Sequence, residues 1–155
     1  MQLCFSRFFM VIALCSLISF VSVGQDNKPK ASINHTAIFV VSCKVSADFY
    51  QNIIGLDSIP EPFHDGKHKW LRTGPKSSLH IIEGADVKKE YYKNNHTCYT
   101  VASVDVFADK LKKNKIEFED LTGNKNVFSL RVDKVKQLWL RDPDGYWIEI
   151  NDAKD

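Results

Sequence analysis

Glycine and proline are scarce in this sequence, with seven and five copies among 155 residues. This scarcity excludes a collagen-like chain and a flexible low-complexity chain. A dominant charge is also missing, because 21 basic residues are balanced by 19 acidic ones. Since the lysines are scattered and form no basic stripe, we expect no nucleic-acid partner. The composition, 44% apolar and 26% charged, is that of an ordinary globular protein, and the length suits one domain.

The long apolar run of the chain is at the N-terminus, where one arginine precedes residues 8–23. Ser22 and Gly24 then occupy the −3 and −1 positions of a signal-peptide cleavage site. We therefore expect residues 1–24 to be a signal peptide and residues 25–32 a loose leader, with the mature protein exported, either periplasmic or secreted. A membrane anchor is the alternative, but sixteen residues with three serines are short for a bilayer span.

Cysteine is rare as well. Two of the four cysteines leave with the predicted signal peptide, and the mature chain keeps Cys43 and Cys98. In an exported protein these two can form a disulfide, and a pair of buried free thiols is the alternative. Because the mature chain has no thiol pair at metal-ligand spacing, we do not expect a closed structural zinc site.

The mature chain contains an internal repeat. Residues 34–48 share eight identities in fifteen positions with residues 95–109, at an offset of 61. The tripeptide Trp-Leu-Arg at 70–72 recurs at 139–141, at an offset of 69. The change of offset indicates about eight extra residues in the second copy, around residues 123–131. The chain is therefore a duplicated module.

The two modules, 33–84 and 95–151, form a single predicted domain and share one order of elements. In each, a β-branched and aromatic run suits a first strand, and a serine-capped stretch with an apolar stripe suits a helix. Three shorter strands follow in each module, so the sequence predicts an α+β fold of two tandem βαβββ modules. The predicted strands are 34–41, 56–59, 68–73 and 78–83 in the first module and 95–102, 115–119, 134–140 and 146–151 in the second.

Four polar residues occupy repeat-equivalent positions. His35 and His96 lie in the two first strands, and His80 and Glu149 lie in the middle of the two apolar last strands. Neutral imidazole and carboxylate bind divalent first-row metals. We therefore predict that all four residues are ligands of one divalent metal, Ni, Zn, Fe or Mn. For any single position, a polar residue on the exposed face of a half-buried strand is the alternative.

Two further pairs have weaker patterns. Arg72 and Arg141 are repeat-equivalent, and each either binds an anionic substrate or pairs with a local acid. His64 and His68 lie in a turn-rich polar segment, where we expect exposed loop residues. The chain shows no Ser-His-Asp signature, no phosphate-binding glycine-rich loop and no His-Glu-x-x-His motif.

Four segments carry a resemblance to a known family: Asn-His-Thr at 34–36, Leu-His-Ile-Ile-Glu at 79–83, Asn-His at 95–96 and Asp-Pro-Asp-Gly-Tyr-Trp-Ile-Glu-Ile at 142–150. Together they resemble the vicinal oxygen chelate superfamily, in particular its glyoxalase I-like (lactoylglutathione lyase-like) branch. The resemblance implies a cupped, barrel-like mixed sheet with a metal held inside. In the lyase the last-strand carboxylate of the second module also acts as a base, a role that the resemblance gives to Glu149.

Three functions follow from the resemblance. The first is a metal-dependent lyase or isomerase acting on a small oxygenated substrate chelated by the metal, with Glu149 as base and ligand. The second is a non-haem Fe(II) extradiol-type dioxygenase that uses His35 or His80 with His96 and Glu149. The third is a non-catalytic small-molecule-binding protein of the same fold. Members of the family build their site within one chain or across a dimer, so a homodimer is a possible assembly.

Overall fold

The computed structural model describes residues 30–154, and the strands and helices among them belong to one compact unit, Ser32–Asp155. The first module forms one sheet and one helical segment, with the strand order β1-β4-β3-β2. Strands β1 and β4 are parallel, and the other neighbours are antiparallel. The elements are β1 (His35–Val40), α1 (Cys43–Phe49), a π-helical turn (Tyr50–Ile54), β2 (Asp57–Ile59), β3 (His68–Gly74) and β4 (Ser77–Glu83).

The second module repeats this arrangement. Its elements are β5 (His96–Thr100), α2 (Val104–Lys113), β6 (Phe118–Glu119), β7 (Ser129–Leu130), β8 (Lys136–Arg141) and β9 (Trp147–Asn151). The sheet runs β5-β9-β8-β6, with β5 parallel to β9, and β7 pairs with β8 outside this path. Strand β7 lies where the repeat predicted extra residues, so the insertion adds a short strand to β8.

The predicted fold class is confirmed. Two mixed sheets, of four and five strands, carry one helical segment each, and the sheets are cupped without closing into a barrel. The first module has the βαβββ order that the repeat predicted, and the second has the same order with β7 inserted before β8. The predicted strands agree with the observed ones within a few residues. Of the predicted strand 115–119, only Phe118 and Glu119 pair with β8, and they form the short strand β6.

Serine begins both helices, as the sequence predicts. Ser42 Oγ accepts a hydrogen bond from the Val45 N–H at 3.5 Å, and Ser103 Oγ accepts one from the Val106 N–H at 3.4 Å. These bonds satisfy donors that the first turn of a helix leaves unpaired. Gly55 ends the first helical segment with a φ of 97°, a left-handed conformation that glycine adopts without strain.

Alternation along the two central strands separates the core from a second face of each sheet. In β4, Leu79 and Ile81 belong to the hydrophobic core, and in β9, Ile148 and Ile150 do so. The residue between each pair, a histidine in β4 and a glutamate in β9, therefore lies on the opposite face, which we call the site face. These two residues are only 7% and 8% exposed. The interpretation of each as a solvent-facing strand residue is therefore wrong.

The Asp-Pro-Asp-Gly turn before β9 ties the two modules together. Asp144 Oδ1 accepts a hydrogen bond from the Val41 N–H, and its Oδ2 accepts one from the Ser46 hydroxyl, both at 2.8 Å. Asp142 Oδ2 accepts a 3.0 Å hydrogen bond from the Tyr50 hydroxyl. All three hydrogen bonds are buried or partly buried. The turn therefore fastens the second module to the end of β1 and to the first helical segment.

Some predictions concern other parts of the chain. The predicted signal peptide, residues 1–24, lies outside the described residues, as does most of the leader, residues 25–32. Within residues 30–154, no helix is long and apolar enough to cross a membrane. Cys43 and Cys98 are both free thiols, so the disulfide alternative is wrong. The alternative of two buried thiols holds for Cys43 only, because Cys98 is exposed.

Candidate functional site

His96 and Glu149 contact each other on the site face of the second sheet. His96 begins β5, which pairs in parallel with β9, the strand of Glu149. His96 Nε2 lies 3.1 Å from Glu149 Oε2, and His96 Nδ1 lies 2.8 Å from the Lys93 carbonyl oxygen. Because that carbonyl accepts the proton of Nδ1, it orients the ring so that Nε2 faces the carboxylate. An imidazole nitrogen and a carboxylate oxygen placed together suit a divalent first-row metal.

Asn151 positions the same carboxylate from the other side. It lies two residues after Glu149 in β9, and its Nδ2 donates a 3.0 Å hydrogen bond to Glu149 Oε1. The same amide nitrogen is 3.1 Å from Cys98 Sγ, and Arg131 Nη1 is 4.0 Å from Glu149 Oε1. Glu149 is thereby held by an amide at Oε1, while its Oε2 faces His96 Nε2. Period-two alternation along the last strand was the sequence signal that would have identified Asn151.

His80 is part of an aromatic stack on the site face of the first sheet. Its ring lies 4.1 Å from the Trp70 ring at an angle of 13°, and 5.8 Å from the Phe63 ring at an angle of 4°. His35, exposed on β1, has its ring 6.0 Å from that of His80. Burial lowers the pKa of His80, and the neighbouring His68 and His35 lower it further. The imidazole is therefore kept neutral, which is the form that binds a metal.

The prediction that His68 is an exposed loop residue is wrong. His68 begins β3, and its Nδ1 lies 2.7 Å from His80 Nε2. The antiparallel register places Trp70 opposite His80, so His68 is the diagonal neighbour of His80 on the same face. The alternation from His68 to Trp70 along the predicted strand was the available signal. His64 is exposed, as predicted.

The structure places the four predicted ligands in two half-sites. His35 and His80 form the first half-site, and His96 and Glu149 form the second half-site. Among residues 30–154, no group of three or more His, Cys, Asp or Glu side chains is placed to hold a metal ion. The donor types of both half-sites fit a divalent metal, while the shared site of all four residues stays a prediction.

The two repeat-equivalent arginines have different surroundings. The Arg141 guanidinium lies 4.5 Å from the centre of the Trp147 ring, and its Nη1 is 3.9 Å from Glu90 Oε1. Arg72 is exposed on β3, where it pairs in register with Ser78. Arg141 also borders a pocket on the second module. A role of either arginine in substrate binding stays a prediction.

Two βαβββ modules, each with a candidate ligand in the middle of its last strand, suggest a comparison with known proteins of this architecture. The sequence profile of the Glyoxalase/Bleomycin resistance protein/Dioxygenase superfamily matches residues 32–150. The chain belongs to this superfamily. The resemblance inferred from the motifs is therefore confirmed, and superfamily members typically use a divalent metal.

Individual relatives agree with this assignment. Glyoxylase I 4 of Arabidopsis thaliana is 28% identical over 126 residues, which are 77% of this chain and 69% of the relative. A solved glyoxalase family protein from Bacillus anthracis is 25% identical with a TM-score of 0.63, covering 81% of this chain and 98% of that one. Lactoylglutathione lyase from Agrobacterium tumefaciens, 18% identical with a TM-score of 0.61, shares the fold over 81% of this chain and 96% of its own. The glyoxalase I-like branch is thus supported.

Proposed function

We propose that this member of the glyoxalase superfamily is a metal-dependent lyase or isomerase that acts on a small oxygenated substrate. The observation that carries the proposal is the contact of 3.1 Å between His96 and Glu149, with Asn151 holding the other carboxylate oxygen. A buried, oriented carboxylate next to an imidazole is suited to accept a proton from substrate. The superfamily assignment and the named relatives support an enzymatic role.

His35, His80, His96 and Glu149 are the residues that would hold a divalent metal, Ni, Zn, Fe or Mn. When bound, such a metal would polarise the carbonyl of a substrate that presents neighbouring oxygens to it. Glu149 then takes a proton from the carbon next to that carbonyl and returns it to an adjacent atom. Asn151 keeps the carboxylate in place during both transfers, because its amide donates to the oxygen that does not face His96.

A second copy of the chain offers one way to join the two half-sites. We propose a homodimer in which the first half-site of one chain faces the second half-site of the other. Two observations support it: each half-site is formed within one sheet, and in the described part of one chain no group of three or more potential ligands is placed to hold a metal ion. A C2 dimer arranged in this way contains two equivalent sites.

Export bears on the choice of substrate. If residues 1–24 are removed as a signal peptide, the enzyme works outside the cytoplasm, where glutathione is not the main thiol. We therefore propose a substrate that carries neighbouring oxygens but is not a glutathione adduct. Like a 2-oxoaldehyde hemithioacetal, this substrate carries an acidic proton on the carbon next to a carbonyl.

Turnover tests the proposal. Residues 25–155, loaded in turn with Ni, Zn, Mn or Fe, are assayed with hemithioacetals of methylglyoxal and several small thiols. Glu149→Gln keeps an oxygen ligand but loses the base, so we expect kcat to fall about 100- to 10,000-fold. His64→Asn, at an exposed residue with φ of 55°, is the matched control and keeps the parent rate.

Other outcomes of the same assay identify the alternatives. Oxygen uptake with a catechol in the Fe(II) form, without hemithioacetal turnover, would replace the lyase with an extradiol-type dioxygenase. Metal-independent ligand binding without turnover in any metal form would identify a binding protein of the same fold.

A further inference from the structure

The three histidines of the half-sites each have one ring nitrogen engaged by a neighbour. In two of them the neighbour is an acceptor at Nδ1. His35 Nδ1 lies 2.8 Å from Asn34 Oδ1, and His96 Nδ1 lies 2.8 Å from the Lys93 carbonyl oxygen. The proton of each ring is therefore on Nδ1, and Nε2 is the bare nitrogen. Since a metal binds the bare nitrogen of a neutral imidazole, His35 and His96 have Nε2 available for it.

His80 differs because its engaged nitrogen is Nε2, which lies 2.7 Å from His68 Nδ1. Two neutral imidazoles share one hydrogen bond when one of the two nitrogens carries a proton and the other is bare. If His80 Nε2 accepts this bond, its lone pair is occupied and the proton is on Nδ1, so no nitrogen is left for a metal. If His80 Nε2 donates, Nδ1 is bare and available. The direction of the bond therefore determines how His80 can act as a ligand.

Asp65 favours one direction. Its Oδ2 lies 3.5 Å from His68 Nε2, the ring nitrogen of His68 that does not contact His80. The other oxygen, Oδ1, accepts a 2.9 Å hydrogen bond from the Lys67 N–H, which keeps the carboxylate beside the start of β3. A carboxylate only accepts hydrogen bonds, and its charge favours a proton on the nitrogen that faces it. His68 Nδ1 is then bare, so it accepts the proton of His80 Nε2.

Stacking fixes the plane of the His80 ring but not which edge of the ring faces the half-site. The ring lies 4.1 Å from the Trp70 ring at an angle of 13°. A half-turn about the Cβ–Cγ bond keeps the ring in this plane and exchanges its nitrogens with carbons. The hydrogen bond with His68 distinguishes the two orientations, because the half-turn would break it. His68 is held in turn by Phe63, whose ring stacks on it at 4.3 Å.

The second module has glutamine where the first has His68. At the offset of 69, His68 corresponds to Gln137 of β8, which is buried and pairs in register with Asn151. In that module the middle residue of the last strand, Glu149, is held by Asn151 of its own strand. The fold therefore does not require histidine at this position. Glutamine also offers a side-chain oxygen as an acceptor.

We infer that His68 is a positioning residue of the first half-site: it accepts the Nε2 proton of His80 and leaves Nδ1 of His80 as the nitrogen available to a divalent metal. The inference rests on the proposed function, which requires that metal. It distinguishes His80 from His35 and His96, whose available nitrogen is Nε2. Partners that hold the second nitrogen of a ligand histidine typically contribute 10- to 100-fold, as a rough range, to metal affinity.

Nitrogen-15 NMR of the imidazole rings tests the inference without a metal. Long-range ¹H–¹⁵N spectra of residues 25–155 distinguish a protonated ring nitrogen from a bare one. They are recorded at about pH 8, above the usual histidine pKa of about 6.5, so that the rings are neutral. We expect a protonated Nε2 and a bare Nδ1 in His80.

Three variants show whether His68 is responsible. His68→Ala removes the acceptor, so the His80 signals should move toward a mixture of the two tautomers. His68→Gln keeps a side-chain acceptor and should restore the parent pattern. His64→Asn, at an exposed residue of the preceding segment with φ of 55°, is the matched control and leaves the His80 signals in place.

Cadmium-113 identifies the nitrogen that binds the metal, because its coupling to ¹⁵N arises only at a bound nitrogen. We expect coupling to Nδ1 of His80 and to Nε2 of His96. Cadmium affinity, measured by calorimetry, should fall about 10- to 100-fold in His68→Ala. The loss should be smaller in His68→Gln and absent in His64→Asn.

A bare Nε2 in His80 of the parent, or the same His80 tautomer in the parent and in His68→Ala, would overturn the inference. Coupling of cadmium to Nε2 of His80 would overturn it as well. The tautomer is measured in the metal-free protein, so its failure is distinct from failure of the proposed function. The expected tautomer in a protein that binds none of the metals would support the action of His68 on the His80 ring and remove the proposed metal chemistry.

Discussion

Tyr50 and Asp142 are 92 residues apart in the chain, and the Tyr50 hydroxyl donates a 3.0 Å hydrogen bond to the Asp142 carboxylate. The same carboxylate accepts the N–H groups of Asp144 and Tyr146 at its other oxygen. Burial raises the pKa of Asp142 to about 6, although these hydrogen bonds oppose the shift. The contact between the two modules therefore includes a carboxyl group that titrates near neutral pH.

Asp142 makes stability depend on pH in a defined direction. The folded protein binds a proton at this carboxyl up to about pH 6, whereas the unfolded chain releases it near 3.8. The contribution of this group to stability is therefore greatest below pH 4 and is lost as pH rises through 6. Two pKa units correspond to about 3 kcal/mol at most. Urea unfolding of the parent and of Asp142→Asn at a series of pH values measures the difference.

The Asp142→Asn variant is the control for every other titrating group. Its amide keeps an oxygen for the two backbone N–H groups and does not titrate. We expect the parent to lose stability relative to the variant between pH 4 and pH 7. Parallel stability curves over that range would show that Asp142 is not the group responsible.

Gly145 is required by close packing against the linker between the modules. Its φ is 96°, and a Cβ at this position would overlap the Lys89 carbonyl oxygen. We expect Gly145→Ala to destabilise the protein by at least about 2 kcal/mol, from a strained backbone conformation plus displacement of the linker. Gly66→Ala is the matched control, since Gly66 has a φ of 78° with nothing within 4 Å of an added Cβ. Thermal unfolding of both variants separates the two effects, and equal losses would contradict the role of the linker.

Asn151 is expected to act on the reaction through Glu149. Asn151→Asp places a second carboxylate next to Glu149, and like charges raise a carboxyl pKa. We therefore predict that the acidic limb of the kcat/KM profile moves to higher pH. Asn52→Asp, at an exposed position, is the control and leaves the profile in place. A lower rate with an unshifted profile would mean that Asn151 is only structural.

Mixing two inactive variants tests whether the site crosses a dimer. His80→Ala damages the first half-site and Glu149→Ala the second. Random pairing of the two chains makes half of the dimers mixed, and each mixed dimer has one intact site if sites cross the interface, so about a quarter of the parent activity returns. No recovery after unfolding and refolding the mixture, in dimers shown to exchange subunits, would place the complete site within one chain.

Much of the fold could be predicted because duplication makes each module a check on the other. The tripeptide that contains His35 recurs with His96. The alignment of the two last strands showed that His80, like Glu149, lies between two apolar residues, and these apolar residues belong to the core. His68 was missed because its contact with His80 depends on the register between β3 and β4, and a turn-rich flank concealed the start of the strand.

The sequence repeat could not predict how the two modules are arranged relative to each other. Equal positions in two modules say that side chains are equivalent, but they do not say that the side chains meet. Whether the two half-sites face each other depends on how the sheets are arranged in one chain or in two. The contact between Lys93 and Glu119 was unpredictable for a related reason, since the segment between the modules and β6 supply it.

Metal content of residues 25–155 tests the central claim most directly. After dialysis and reconstitution with Ni, Zn, Mn or Fe, elemental analysis of the parent should give about one ion per chain. His96→Ala and Glu149→Ala should each lose that ion, while His64→Asn, at an exposed histidine, retains it. No bound metal in the parent with any of the four ions, or full retention in His96→Ala and Glu149→Ala, would contradict a metal centre built from these residues.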